Sequence, residues 1–205
     1  MELYIIRHGE TVWNKEKRLQ GSSDIEINEN GRNIAIKTGE AMKDIHFDVI
    51  YSSPLRRAYE TAKLICKGRK IDILTDERLK EISFGNYEGK TYEELENSGI
   101  KFSLFFNKPE EFMPAEDAEN FDSLIRRAKS FLDELVKIYG NTDKRIMIVA
   151  HGAINKAIML NIKNIELKDF WSGGLQNNCN AMIVAYRNGR FDILSEGKLF
   201  YSHEQ

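Results

Sequence analysis

The chain has 205 residues, 41% of them hydrophobic and 30% charged, and its formal net charge is −2. This length suits one α/β domain, and the balance of apolar and charged residues is typical of a folded protein rather than a disordered one. The Lys and Arg residues are scattered instead of forming a basic patch, so neither nucleic acid nor a membrane surface is an expected partner.

Three short apolar runs predict buried β-strands at residues 3–6, 47–52 and 145–150, and a helical pattern follows each run at once. The first run is too short for a signal peptide, and no stretch approaches the ~20 apolar residues of a membrane span. Cys66 and Cys179 are far apart in the chain and have no His at ligand spacing. We therefore expect a cytoplasmic protein with two reduced, partly buried cysteines and no metal site.

Helices are predicted after the first two strands and ahead of the third. Asn28 is a good N-cap for one helix, and Pro54 fits the first turn of another, where its missing N–H costs nothing. A longer helix is predicted over residues 121–139, because apolar residues repeat there at helical spacing and Gly140 follows.

Toward the C-terminus, two apolar runs at residues 181–186 and 191–194 flank Asn188-Gly189, a turn signal that predicts a β-hairpin. Alternating strands and helices that end in a hairpin indicate an α/β fold. We expect a three-layer sandwich whose mostly parallel sheet has an antiparallel edge. We also expect residues 1–205 to form a single domain.

The least regular stretch is residues 96–120, here called the lid segment, which we expect to form a helical excursion over the sheet. Its aromatic and Met side chains are expected to form the core of the lid. An apolar wall for the leaving group of a substrate is the alternative. These side chains are Phe102, Phe105, Phe106, Phe112 and Met113.

Polar segments follow the three predicted strands, at residues 7–11, 52–58 and 151–153. In open α/β sheets ligands bind beyond the carboxyl ends of the strands, so these segments bring two histidines and up to three arginines to one edge. Such a cluster of cations needs an anion to balance it, because like charges repel and their desolvation is costly. Phosphate fits well, since arginine can bind it through two parallel hydrogen bonds.

Two histidines beside a bound phosphate indicate phosphoryl transfer. One imidazole, if unprotonated, can attack phosphorus, while the second, protonated, stabilises the phosphoryl oxygens together with the arginines. This arrangement takes the role that Mg²⁺ has in other sites, so no cofactor is expected. The leaving oxygen needs a proton donor, and the residue types of segment 76–85 leave Glu77 and Glu81 as alternatives.

Four motifs occur in order along nearly the whole chain. They are Arg7-His8-Gly9-Glu10-Thr11 with Trp13-Asn14, Ser52-Ser53-Pro54-Leu55-Arg56-Arg57-Ala58, Leu79-Lys80-Glu81-Ile82, and Val149-Ala150-His151-Gly152. Together they resemble the signatures of the histidine phosphatase superfamily, in the branch of cofactor-dependent phosphoglycerate mutases and their phosphatase relatives. The resemblance implies a phosphoglycerate mutase-like fold and a small-molecule phosphate ester as substrate. Dimers are common in this family, which leaves a homodimer open.

The resemblance also implies a role for each motif residue. His8 is the phosphorylated nucleophile, and Arg7, Arg57 and His151 hold the phosphoryl oxygens. In the family it is the arginine directly before the alanine that binds phosphate, which selects Arg57 over its neighbour. Glu81 protonates the leaving oxygen and then, as a carboxylate, takes a proton from the attacking water. The phosphate pocket is completed by Asn14, Gln20, Gly21 and Gly152.

Two positions depart from the family pattern. Ala118-Glu119 stands where family members usually show a Gly-Glu pair, so Glu119 receives no role. Gly152 follows the second histidine, where some phosphatase branches carry an Asp as their acid, and this supports Glu81 as the proton donor.

The function predicted is a metal-independent phosphomonoesterase of the histidine acid type. A phosphoglycerate mutase would share every catalytic residue but would need extra cations to hold a doubly phosphorylated intermediate. The lid segment has only Lys101 and Lys108 among many acidic residues, which makes it a poor clamp for a polyanion. A non-catalytic phosphate-binding domain would be expected to lack His8 or Glu81, and both are present.

Overall fold

A computed structural model describes residues 1–201 and has a six-stranded β-sheet at its centre. The strands are β1 (Glu2–Arg7), β2 (Val49–Ser52), β3 (Ile73–Thr75), β4 (Arg145–Ala150), β5 (Ala181–Arg187) and β6 (Arg190–Lys198). Their order across the sheet is β3-β2-β4-β1-β5-β6. The first four strands pair in parallel, whereas β5 runs antiparallel to β1 and to β6. The predicted α/β fold, with an antiparallel edge on a mostly parallel sheet, is confirmed.

The helices alternate with the strands as the sequence predicts. They are α1 (Val12–Lys15), α2 (Glu29–Ala41), α3 (Arg56–Ile65), α4 (Tyr92–Asn97), α5 (Leu104–Asn107), α6 (Phe121–Tyr139) and α7 (Gly152–Lys163). Asn28 caps α2 as expected, because its side chain accepts a hydrogen bond from the backbone N–H of Gly31. Among the described residues, none of the helices is both long enough and apolar enough to cross a bilayer.

Helix α3 begins later than the sequence predicts. Pro54 lies two residues before the first helical residue, Arg56, instead of within the first turn. The reason is a cap from outside the helix, since the backbone N–H of Arg56 donates to Asp24 over 2.7 Å. The prediction placed the helix start from local sequence alone, and a side chain that is distant in the sequence decides it.

Two hydrophobic cores lie on opposite faces of the sheet. Successive side chains of a strand point to opposite faces, so Leu3 and Ile5 of β1 join one core while Tyr4 and Ile6 join the other. The first core is closed by α6, α7 and the lid segment, and the second by α2 and α3. This arrangement is the predicted three-layer sandwich.

Strand β3 was not predicted. It has only three residues, it lies at the edge of the sheet, and its side chains are largely exposed, so it lacks the apolar run on which strand prediction depends. The predicted strand at 47–52 begins instead at Val49, and the residue before it, Asp48, accepts a hydrogen bond from the backbone N–H of Arg145 over 2.8 Å through its carboxylate. Phe47 is fully buried in the second core.

The lid segment contains α5 and a 3₁₀ turn at Pro109–Glu111. Phe105 stacks on Phe121 of α6 with ring centroids 5.0 Å apart. The indole N–H of Trp171 donates to the backbone oxygen of Phe105 over 2.6 Å. These contacts attach the segment to the layer formed by α6 and α7.

Candidate active site

The two histidines of the sequence motifs lie side by side at one edge of the sheet. Strands β1 and β4 are parallel neighbours in which Arg7 pairs with Ala150, so the next residue of each strand, His8 and His151, leaves the sheet at the same place. The two ring centroids are 5.1 Å apart, and both side chains are buried. The parallel register therefore brings together residues that are far apart in the sequence.

Burial and hydrogen bonding define the state of His8. Its Nδ1 atom lies 2.7 Å from the backbone oxygen of Gly9, and a carbonyl only accepts, so Nδ1 carries the proton and Nε2 keeps its lone pair. Burial holds the pKa of His8 well below its usual range, and the positive charges of Arg57 and Arg7 lower the pKa further. The ring is therefore a neutral imidazole with a free nucleophilic nitrogen.

His151 is also neutral, which differs from the expectation of a protonated second histidine. The Nε–H of Arg57 donates to Nδ1 of His151 over 3.1 Å, and Nε2 lies 2.8 Å from the hydroxyl of Ser53. Because Nδ1 must accept, the proton of the ring lies on Nε2. Burial, and then the charge of Arg57, hold the pKa of His151 well below its usual range. The neighbouring guanidinium already supplies the positive charge at this point.

Two arginines supply the cationic groups of the site. The terminal nitrogens of Arg57 donate to the backbone oxygens of Ser23 and Gly21, each over 2.6 Å, and burial lowers the pKa of Arg57 to about 10. Each terminal nitrogen keeps a second N–H. Arg7 donates from Nη1 to the backbone oxygen of Gln176 over 2.6 Å, while its buried Nε has no partner among the described residues. Both guanidinium groups thus retain donors for an anion.

Glu81 is the acidic residue that reaches the same site. Its carboxylate accepts hydrogen bonds from the backbone N–H groups of Ile82, Ala153 and Ile154 at 3.0–3.1 Å, the last two belonging to the first turn of α7. An anion is favoured at a helix N-terminus. Glu77 has a side chain that is 75% exposed and pairs with Lys80, so the structure separates the two carboxylates that the residue types left open.

These groups surround one cavity with an empty volume of about 500 Å³, part of it open to solvent. The predicted site residues that line it are Arg7, His8, Asn14, Gln20, Gly21, Arg57, Glu81 and Gly152. The exception is His151, which lies behind His8 and Arg57. Asn14 lines the cavity and also caps α1, because its Oδ1 accepts a hydrogen bond from the backbone N–H of Thr11 over 3.1 Å.

Apolar and aromatic side chains form the rest of the wall of the cavity. They are Leu19, Phe84, Tyr92, Phe105, Phe106, Trp171 and Leu175. Of the predicted lid cluster, Phe105 and Phe106 therefore face the cavity, whereas Phe102 lies in the core and Met113 is 81% exposed. Trp171 was missed because it is remote in sequence from every motif and no local pattern marks it. Within the part of the chain that the structure describes, Arg18 is the one further charged residue of the lining.

Comparison with known proteins shows the family of the chain. A family model described as histidine phosphatase superfamily (branch 1) matches residues 3–198. The chain belongs to the histidine phosphatase superfamily. The resemblance that the four motifs carry is thereby confirmed.

Members of the superfamily with similar sequences or structures include several phosphatases. Phosphoserine phosphatase 1 of Hydrogenobacter thermophilus is 30% identical over 89% of this chain and 86% of its own length. The structure of YhfR from Bacillus stearothermophilus has a TM-score of 0.88 at 34% identity, covering 96% of both chains. Phosphoserine phosphatase from Entamoeba histolytica, solved with 3-phosphoglyceric acid, has a TM-score of 0.83 at 32% identity, again covering 96% of both.

Proposed function

We propose that this chain is a phosphomonoesterase that hydrolyses small phosphorylated metabolites through a phosphohistidine on His8. The observation that carries the proposal is the neutral, buried imidazole of His8, whose Nδ1 is fixed by a backbone oxygen and whose Nε2 is free. Arg7, Arg57 and Glu81 line the same cavity. The phosphoserine phosphatases among the similar proteins support the hydrolysis of a small phosphate ester.

In the first step, the guanidinium groups of Arg7 and Arg57 hold the non-bridging oxygens of the ester. Nε2 of His8 attacks phosphorus, the bond from phosphorus to the ester oxygen breaks, and that oxygen takes the proton of Glu81 as the alcohol leaves. Cationic donors that are already in place stabilise the charge of the transition state without reorganising.

In the second step, water replaces the alcohol. The carboxylate of Glu81 takes a proton from the water as its oxygen attacks phosphorus. The phosphorus–nitrogen bond then breaks, which frees His8 and releases inorganic phosphate. Glu81 ends protonated, so the cycle closes without a metal ion or other cofactor.

The aromatic wall of the cavity supports a leaving group with an apolar or aromatic part and at most one anionic group. Among the described residues of the lining, Arg18 is the one cation besides Arg7 and Arg57, and it is already held by Glu16 and by the backbone oxygen of Gly89, each over 2.7 Å. A mutase must hold a second phosphoryl group, for which bidentate arginine pairs are the usual device. The proposal therefore favours hydrolysis over phosphoryl return to the substrate.

The decisive experiment is hydrolysis of para-nitrophenyl phosphate in the presence of EDTA, by the wild type and by His8→Ala. We expect turnover by the wild type, none by the variant, and an acid-labile phosphohistidine in rapidly quenched wild-type samples. If no phosphoester in a panel gives turnover or phosphohistidine, the chain is a phosphate-binding domain. Conversion of 3-phosphoglycerate to 2-phosphoglycerate faster than release of phosphate would identify a mutase.

A further inference from the structure

One carboxylate, that of Glu88, holds the loop formed by residues 21–23. It accepts hydrogen bonds from the backbone N–H and the hydroxyl of Ser22, at 2.8 and 2.9 Å, and from the same two groups of Ser23, at 2.8 and 2.5 Å. A further hydrogen bond comes from the backbone N–H of Phe84 over 3.1 Å. Several donors on one carboxylate fix both partners strongly, because hydrogen bonds to a charged group are the strong ones.

The opposite side of this loop faces Arg57. The backbone oxygens of Gly21 and Ser23 accept from the two terminal nitrogens of that guanidinium, each over 2.6 Å. The loop thus directs its N–H groups to an anion and its carbonyl groups to a cation. The negative charge of Glu88 also favours the protonated form of Arg57, so it raises the pKa that burial lowers. Any tilt of the loop would move the two carbonyl oxygens that aim the guanidinium.

Gly21 provides independent support for this arrangement. Its φ of +50° is in the left-handed region, and a Cβ at this position would lie 2.1 Å from Oε1 of Glu88. Only glycine leaves room for the carboxylate beneath the loop. The carboxylate of Glu88 can therefore occupy its position only because residue 21 has no Cβ.

We propose that Glu88 is a positioning residue that sets the affinity of the site for a phosphoryl group through Arg57, without touching the substrate. This inference rests on the proposed function, because it takes Arg57 as a ligand of phosphate. Each terminal nitrogen of Arg57 has one N–H directed at the loop and one left over. By holding the loop, Glu88 fixes the N–H groups of Arg57 that donate to it, and this orients the two N–H groups that are left for phosphate.

The test is the binding of inorganic phosphate, measured by calorimetry, together with the kinetics of para-nitrophenyl phosphate. Glu88→Gln offers the loop one acceptor oxygen and an NH₂ group that cannot accept. We expect KM and the Kd for phosphate to rise about tenfold or more, with a smaller change in kcat, because a hydrogen-bonded charge is lost at a distance from the reacting atoms. Glu77→Gln, which changes an exposed carboxylate in the same way, should change both quantities less than twofold.

A double-mutant cycle with Arg57→Lys shows whether the effect passes through Arg57, since lysine lacks the two nitrogens that the loop holds. We expect the double variant to bind phosphate no worse than Arg57→Lys alone. Fold-changes that multiply in the double variant would overturn the proposal, as would unchanged phosphate affinity in Glu88→Gln. If the wild type binds phosphate without turnover, the proposed function is wrong, and the phosphate affinities of the variants alone decide whether Glu88 acts through Arg57. Wild type that does neither would overturn both.

A second pair of variants covers the case in which Glu88→Gln fails to fold. Gly21→Ala and Gly99→Ala both place a Cβ on a left-handed residue, but at Gly99 nothing lies within 4 Å of that Cβ. We expect only Gly21→Ala, which displaces the carboxylate of Glu88, to weaken phosphate binding about tenfold. Equal phosphate affinities in the two variants would contradict the proposal.

Discussion

The Nε–H of Arg57 donates to Nδ1 of His151 over 3.1 Å, and this single contact determines the charge of the buried group. A guanidinium cannot accept a hydrogen bond, so the imidazole must be unprotonated at Nδ1, and its remaining proton points to Ser53. The neutral His8 lies 5.1 Å away, centroid to centroid. The positive charge therefore resides on arginine, and both histidines stay neutral.

The first prediction concerns stability against pH. Burial and neighbouring arginines hold the pKa values of His8 and His151 well below 6.5 in the folded chain, whereas the unfolded chain titrates near that value. Below pH 6.5 the unfolded state therefore binds more protons, and the free energy of unfolding falls as the pH falls. Above that pH these two groups cause no change. Urea unfolding at a series of pH values between neutral and mildly acidic measures this dependence.

One variant isolates the contribution of a buried ring. His8→Asn removes one of the two buried imidazoles and should reduce the dependence of stability on acidic pH. A slope in His8→Asn identical to that of the wild type would show that this histidine is not held neutral by the fold.

The second prediction concerns the proton donor. Glu81→Gln keeps the shape of the side chain but cannot donate a carboxylic acid proton. We expect kcat/KM, which reports the step in which the alcohol leaves, to fall by about 10²–10⁴ for alkyl phosphates and much less for para-nitrophenyl phosphate, because nitrophenolate leaves without protonation. Glu77→Gln is the matched control. Equal losses for the two kinds of leaving group would remove Glu81 from this role.

The third prediction concerns Arg127 on α6, which anchors the segment just before Glu81. Its Nη1 donates to the backbone oxygens of Arg78 and Lys80 over 2.7 and 2.6 Å. Arg127 also forms a bidentate pair with Glu119, at 2.8 Å for both hydrogen bonds. Glu119, to which the comparison of motifs assigned no role, thus fixes Arg127, and Arg127 fixes the segment that carries Glu81.

Replacing Arg127 with Lys removes the planar fork, so we expect the segment to lose its anchor and the acid to lose its position. The rate should fall about tenfold for alkyl phosphates and less for aryl phosphates, the pattern of Glu81→Gln on a smaller scale. Arg126→Lys, on the neighbouring exposed position, is the control. A uniform loss across leaving groups would indicate general destabilisation instead.

The fourth prediction concerns the aromatic wall. Trp171→Ala removes a large apolar surface from the cavity, so KM for 1-naphthyl phosphate should rise roughly tenfold or more while KM for ethyl phosphate changes little. Trp171→Phe keeps a ring but loses the hydrogen bond to Phe105, and it should retain most of the preference. Parallel changes for both substrates would argue against a leaving-group role for this wall.

Local sequence patterns were enough to predict the α/β architecture and most of the motif residues that line the cavity. Apolar runs marked β1 and β4, Asn28 marked the start of α2, and short motifs after the strands marked His8, Arg57 and their neighbours. These signals are local, because hydrophobic period, capping and turn chemistry act over a few residues. The carboxyl ends of parallel strands then collect polar residues at one edge in any fold of this class.

The contacts among distant segments became known from the folded chain alone. It placed Glu81 on the amides of α7, 72 residues further along the chain at Ala153, and left Glu77 in solvent. The hydrogen bond from Arg57 keeps Nδ1 of His151 unprotonated. Packing also brings Trp171 to the cavity beside Phe105. The physical reason is that charge state, and the choice between two similar side chains, depend on burial and on the direction of hydrogen bonds. Both are set by packing between elements that no local sequence pattern relates.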